Sequence, residues 1–325
     1  MKIDMSYGSG GRQTGNLIND IFLKYFDNKI LNRLEDAAVL KTSGKIAYTT
    51  DSFVVTPLFF SGADIGKLAV CGTVNDILMM GAIPKYLTVG FIIEEGAEIE
   101  TIDRIANSMK LAAKEANVKI VAGDTKVTEG KGGIYINTSG IGEIAKSGVS
   151  ISNCKNGDII ILSGNLGDHH AAIMSARMGI ENKIKSDCAP LVSIVKNLIK
   201  NQINIKCMRD ITRGGLATVL NEVASSSDCA VEIFEDYIPV NDEVKGLCNI
   251  LGLDPLYMAN EGKMIAVVPK KQANEALEII RKSKYGENAR IIGNIAEGSG
   301  VSVTTSIQGK RILDVLYGEG LPRIC

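Results

Sequence analysis

Apolar and polar positions follow two rhythms along the chain, and their alternation predicts interleaved strands and helices. NLINDIFLKYF has the spacing of an amphipathic helix, and KIAYTTDSFVV reads as a strand that ends near Asp51. DIGKLAVCGTVNDILMMGA has apolar residues at helical spacing and stops at Gly81. The strand KYLTVGFII, the helix EIETIDRIANSMKLAAKEAN, the strand VKIVAGDT with a tight turn, and the strand GGIYINTSGIGEI follow.

CKNGD marks a boundary, after which IIILSG opens a second run of elements. Helices are expected from DHHAAIMSARMG and APLVSIVKNLIKN, and a loop MRDITRGG leads into the helix LATVLNEVASS. Then come strand AVEIF, helix DEVKGLCNILG, strand KMIAVVP, helix KQANEALEIIRKS and strand ARIIGNIAEG, with VSVTT and KRILDVL as a terminal hairpin. The expected class is α+β, with domains at 1–145 and 146–313 and a tail at 314–325.

Composition narrows the partners. The chain has 325 residues, enough for two cores, and 45% hydrophobic against 22% charged residues is an ordinary globular balance. A net charge of −1, no Trp and 5% aromatics argue against nucleic acid, and no apolar run is long enough for a membrane span. The start MKIDMSYGSGGR lacks the layout of a signal peptide, so the expected compartment is the cytoplasm. Cys71, Cys154, Cys188, Cys207, Cys229, Cys248 and Cys325 are odd in number and widely spaced with no C-x-x-C, which argues against a disulfide framework or zinc site. Most of them read as buried small hydrophobes, and only the context of Cys325, at the end of YGEGLPRIC, resists that reading.

Five aspartates are flanked by apolar or small residues: Asp36 in EDAAVL, Asp51 in TTDSF, Asp76 in TVNDILMMGA, Asp124 in VAGDTK and Asp210 in MRDITRGG. Each alone reads as a cap or turn former. Together they suit a hard-oxygen site for Mg²⁺, which keeps water and uses a few carboxylates plus substrate phosphates. RDITRGGLATV opens a helix with Gly214 and Gly215, whose free N–H groups could hold phosphate beside Arg209 and Arg213. YGSGGRQTG is Gly-rich before a helix but is neither a P-loop nor a dinucleotide fingerprint. His169 and His170 in SGNLGDHHAA serve either as a capping turn or as ligand contacts. In MANEGKM, Glu261 and Lys263 form either a polar turn or a pocket in which Glu261 acts as a base.

YGSGGR, EDAAVL, TTDSFVVTPLFFSGADIGKLAVCGTVNDILMMGAIP, AGDTKV, GDHHAAIMSAR, MRDITRGGLATVLNE, LYMANEGK and the closing PRIC resemble the HypE family, the carbamoyl dehydratases of [NiFe]-hydrogenase maturation. The likeness runs from residue 8 to 325, and its core motifs belong to the superfamily of aminoimidazole ribonucleotide synthetase and selenophosphate synthetase. The resemblance implies a two-domain aminoimidazole ribonucleotide synthetase-like fold. Its N-terminal domain binds ATP and forms the interface of a homodimer, its C-terminal domain is α/β, and its tail is flexible. Asp36, Asp51, Asp76, Asp124 and Asp210 would hold Mg²⁺. Gly10, Gly11, Asp51, Asn75, Lys126, Arg213 and Gly214 would contact ATP.

In that family a carbamoyltransferase, HypF, loads the terminal cysteine, here Cys325. ATP then activates the carboxamide oxygen, and loss of phosphate leaves a thiocyanate whose cyano group goes to the HypC–HypD iron scaffold. Glu261 would be the base and Lys126 would orient the group. The nine residues of YGEGLPRIC reach at most about 30 Å when extended. Rival readings are an ATP-binding scaffold whose tail docks a partner, or another synthetase of the superfamily. Selenophosphate synthetase carries its reactive residue near the start, where this chain has Ser6 and Tyr7. A prenylated terminus is excluded because it needs the cysteine fourth from the end.

Overall fold

The computed structural model describes residues 2–4, Tyr7, 16–33 and 40–315. Two sheets organise them. The first combines β1 (Ile46–Phe53), β4 (Ala82–Glu94), β5 (Lys119–Thr128) and β6 (Ile134–Ile144) in the order β1-β6-β4-β5. Only β4 and β5 are parallel. A short hairpin, β2 (Phe59–Phe60) and β3 (Ala63–Asp64), precedes helix α1 (Ile65–Met79). Helix α2 (Ile99–Ala116) crosses between β4 and β5, as a parallel pair requires. An earlier helical stretch winds as a π-helix over Ile18–Leu23 and continues over Lys24–Phe26.

The second sheet has seven strands: β7 (Asp158–Leu162), β8 (Cys207–Asp210), β9 (Ala230–Phe234), β10 (Met264–Pro269), β11 (Arg290–Ala296), β12 (Val301–Thr304) and β13 (Lys310–Ile312). Their order is β13-β12-β9-β11-β7-β10-β8. The helices among them are α3 (Asp168–Met178), α4 (Val192–Lys200), α5 (Gly215–Ser227), α6 (Asp242–Leu251) and α7 (Ala273–Arg281). The expected hairpin near the end forms between β12 and β13. MRD, expected as loop, is instead part of β8, with Met208 opposite Ala266 and Asp210 opposite Met264. An edge strand of four residues, half of them charged, is too short to show a period.

Helix α1 is the structural hub. Nearly all of its residues are buried, because one side packs on the first sheet and another meets β8 and α4 of the second half. A helix with neighbours on several sides has no solvent face to keep polar. Asp64 caps it, accepting from the backbone N–H groups of Gly66 and Lys67. The apolar cluster around α1 is continuous with residues of α4 and β10, so one core joins the two halves.

The first sheet has one covered and one open face. Alternation along β4 turns Leu87, Val89, Phe91 and Ile93 inward and Thr88, Gly90 and Ile92 outward. On the open face Tyr48, Ile141 and Tyr86 lie in one cross-strand row, and Ile46, Tyr48 and Ile92 are 46%, 66% and 47% exposed.

Candidate active site

The site lies where α1 and β1 meet the end of β8. Asp51, near the end of β1, pairs in register with Thr138 and faces α1. The Thr73 hydroxyl donates to Asp51 Oδ2 at 2.8 Å, and the Thr49 hydroxyl donates to Asp76 Oδ2 at 3.0 Å. Two acids are thus held by one helix and one strand. Burial raises the carboxyl of Asp76 above its ordinary value, and the charge of Asp51 adds to this; Arg209 and Arg213 act in the opposite direction.

Strand β8 brings a third acid. Asp210 is partly reached by solvent yet enclosed by protein on most sides. Burial, with the charges of Asp76 and Asp51, pushes it up to about 7 against the pull of Arg209. Glu261 is fully enclosed, and its carboxyl lies well above the usual carboxylate range. Burial is the main cause, followed by Asp210 and Asp187, with Asp51 contributing less. Mutual repulsion of this kind is the electrostatic signature of a place that wants a cation. The donor set is all oxygen, which fits hydrated Mg²⁺. Among the described residues, no three or more His, Cys, Asp or Glu side chains already form a closed metal cage.

Arg213 is exposed, and Gly214 and Gly215 lead into α5 with φ of 76° and 64°. Gly215 must be glycine: a Cβ there would sit 2.5 Å from the carbonyl carbon of Tyr257. The N-terminus of α5 therefore stands directly against the 255–257 turn.

Asn75 is buried, and its amide is engaged by protein: Nδ2 donates to Ala189 O and Glu261 O, and Oδ1 accepts from the N–H of Leu191. These three bonds tie α1 to the second half. Asp124 and Lys126 are not brought together with the other acids within the chain. The row Asp51–Thr138–Val89–Gly123 places Asp51 on the α1 side. Asp124, one residue on from Gly123, therefore points to the open face with Lys126. They pair with each other at 3.0 Å, both side chains 68% exposed, and the ammonium lowers the Asp124 carboxyl. Gly10, Gly11, Asp36 and Cys325 lie outside the described residues.

His169 and His170 are both buried at the start of α3. His169 Nδ1 is 2.8 Å from Ser186 Oγ, and its ring meets the edge of Phe60. Sequence reasoning missed Thr49, Thr73 and Asp187. The two threonines occupy inward strand and helix positions where an apolar residue is the norm, which was their only signal. Asp187 gave none, since it sits in an irregular linker.

AIR synthase related proteins match the chain twice, their N-terminal domain over residues 34–144 and their C-terminal domain over 155–306. The chain is 46% identical over 334 residues to the carbamoyl dehydratase HypE of Rhizobium leguminosarum bv. viciae, covering 100% of this chain and 95% of that protein. A crystal structure of hydrogenase maturation protein HypE in complex with ATP superposes with a TM-score of 0.96 at 45% identity, over 99% of both chains. The same protein type in a HypE–HypF complex gives a TM-score of 0.81 at 49% identity, over 92% of this chain and 99% of that one.

Proposed function

Because the chain belongs to the HypE family of carbamoyl dehydratases, we propose that the acid-lined seam around α1 is where it dehydrates an S-carbamoyl group on Cys325 to a thiocyanate at the expense of ATP. The product supplies the cyano ligand for hydrogenase iron. The observation that carries this reading is the gathering of Asp51, Asp76, Asp210 and Glu261 at the junction of the two halves, beside Arg213 and the N-terminus of α5.

When bound, ATP with Mg²⁺ supplies the phosphoryl group that turns the carboxamide oxygen into a phosphate leaving group. Asp51, Asp76 and Asp210, with Asp36 from the EDAAVL segment, would hold the metal. Thr49 and Thr73 orient two of these carboxylates. Arg213 and the first turn of α5 would hold phosphate oxygens. Gly10 and Gly11 belong to the same nucleotide contact in this reading. Glu261 takes a proton from the amide nitrogen as the C–O bond breaks; its enclosed position makes it a stronger base than an exposed carboxylate. Two N–H protons and one oxygen leave the carbamoyl group, and the C≡N bond forms.

The division of labour follows: residues 1–145 for nucleotide and pairing, 146–313 for the second wall, and 314–325 as the arm carrying the thiol. A second copy covering the open face of the first sheet would bury Tyr48, Ile46 and Ile92 and bring Asp124 and Lys126 against it, where Lys126 could orient the substrate. HypF is the carbamoyl donor and the HypC–HypD complex the acceptor, in the cytoplasm. No described helix is long and apolar enough to cross a membrane.

The experiment is direct. Chain pre-carbamoylated on Cys325 is incubated with Mg·ATP and followed by mass spectrometry. Loss of one water with release of ADP and phosphate is expected, and a Cys325→Ala chain binds ATP but shows no change. An unmodified mass in the wild type would leave only a scaffold that binds ATP.

A further inference from the structure

Glu261 is gripped by its backbone from both halves of the molecule. Its N–H donates to Asp187 Oδ1 at 3.0 Å, and the next N–H, of Gly262, donates to Asp187 Oδ2 at 3.3 Å. Its carbonyl accepts from Asn75 Nδ2 at 3.3 Å. Asp187 belongs to the linker between α3 and α4, and Asn75 to α1. Asn75 also fastens that linker, donating to Ala189 O at 3.1 Å and accepting from the N–H of Leu191 at 2.9 Å.

The choice of Asp at 187 is expensive. Its side chain is 2% exposed, and Lys263 Nζ lies 3.7 Å away as its counter-charge. A buried carboxylate whose charge reaches Glu261 and Asp168 costs more than a neutral acceptor would. A loop needing only a tie could use Ser or Asn. What a carboxylate adds is two equivalent oxygens, which take two successive N–H groups and fix the Glu261–Gly262 peptide plane. The packing is equally exacting: a Cβ on Gly262 would come 1.9 Å from the Asp187 carbonyl oxygen. No side chain fits there, so the backbone of residue 262 lies flush against residue 187.

We propose that Asp187 and Asn75 are positioning residues for Glu261, aiming its carboxyl into the seam and making that aim depend on the docking of α1 against the second half. This rests on the reading of Glu261 as the base. Misplacing a reacting group by about 1 Å can cost roughly 100-fold in rate, which a clamp on both sides of one peptide unit guards against.

The test uses the full-length chain, carbamoylated on Cys325, in single-turnover reactions with Mg·ATP. Affinity for a non-hydrolysable ATP analogue is measured beside the rate. Asp187→Asn keeps one acceptor and loses the second, and Asn75→Ala releases the carbonyl side. Each is expected to slow dehydration about 10- to 100-fold with nucleotide affinity unchanged. Glu261→Gln is expected to be inactive. Should Asp187→Asn not fold, Asn75→Ala reads the same clamp and leaves the buried charge pair intact. Wild-type rates in the clamp variants beside an inactive Glu261→Gln overturn the positioning role alone. So does a rate loss matched by an equal loss of nucleotide affinity, the mark of a merely structural part. A fully active Glu261→Gln overturns the base, and the clamp with it.

Discussion

The hydroxyl of Thr73 on α1 donates to Asp51 on β1 across 2.8 Å, and the same oxygen lies 2.5 Å from the hydroxyl of Thr138. Thr73 has one hydrogen to give and Asp51 takes it, while the single hydroxyl hydrogen of Thr138 is shared between Thr73 and the carbonyl of Ala69, 3.3 Å away. Replacing Thr73 by Val leaves Asp51 without that donor and leaves Thr138 only the carbonyl of Ala69. We expect a stability loss of about 1 kcal/mol in urea unfolding. We also expect kcat/KM for Mg·ATP to fall roughly 10-fold or more, as is common when a ligand loses its orienting partner.

Asp210 gives a prediction with a definite sign. Its folded value of about 7 lies above the ordinary 3.8, owing to burial and then to Asp76, with Asp51 contributing less. Between those two values the folded state holds a proton that the unfolded state has released. The stabilisation is therefore full below the ordinary value and is lost as pH rises through about 7. Asp210→Asn removes this slope. Without metal or nucleotide the variant should be more stable than the parent at alkaline pH, by roughly 1–3 kcal/mol, and lose that advantage toward acid. Thermal unfolding across pH checks it, and turnover with Mg·ATP should collapse in the same protein.

His170 behaves in the opposite way. It is buried, and neither ring nitrogen has a hydrogen-bond partner among the described residues. Burial, then His169 and Arg177, lower it to about 4 from 6.5. Stability is therefore full above the ordinary value and drains away as pH falls through about 4. His170→Leu removes an unsatisfied polar ring and its titration together. The variant should gain about 1–2 kcal/mol at neutral pH and more in acid, read from chemical denaturation at several pH values.

Gly215 and Gly246 separate a required glycine from a dispensable one. At Gly215 a side chain would meet the Tyr257 backbone at 2.5 Å in a left-handed conformation of φ 64°. At Gly246, inside α6, a Cβ meets nothing within 4 Å. Gly215→Ala should cost about 1–3 kcal/mol and weaken ATP binding, because the N-terminus of α5 must shift. The 255–257 turn moves with it, and Tyr257 donates from its hydroxyl to Asp314 O at 2.9 Å, the root of the tail. Gly246→Ala should instead stabilise by roughly 0.5–1 kcal/mol. Calorimetry and nucleotide titration on both variants distinguish the two cases.

Period and punctuation are local properties, so the sequence by itself determined most strands and helices, the α+β class, and the acids set in apolar surroundings. The edge strand β8 escaped because four residues carry no period, yet it delivers Asp210 to the seam. Tertiary structure alone decided which acids meet. Asp51 and Asp124 look alike in sequence, but register turns one toward α1 and the other to the open face. Asn75 stands beside Asp76 in sequence, and only the fold brings the second half against its amide. Asp187 carried no local signal, and its role arises only because the chain returns to place residue 261 against it. Convergence depends on the order in which distant strands pair, and in the β11-β7-β10-β8 run every neighbour is remote in sequence.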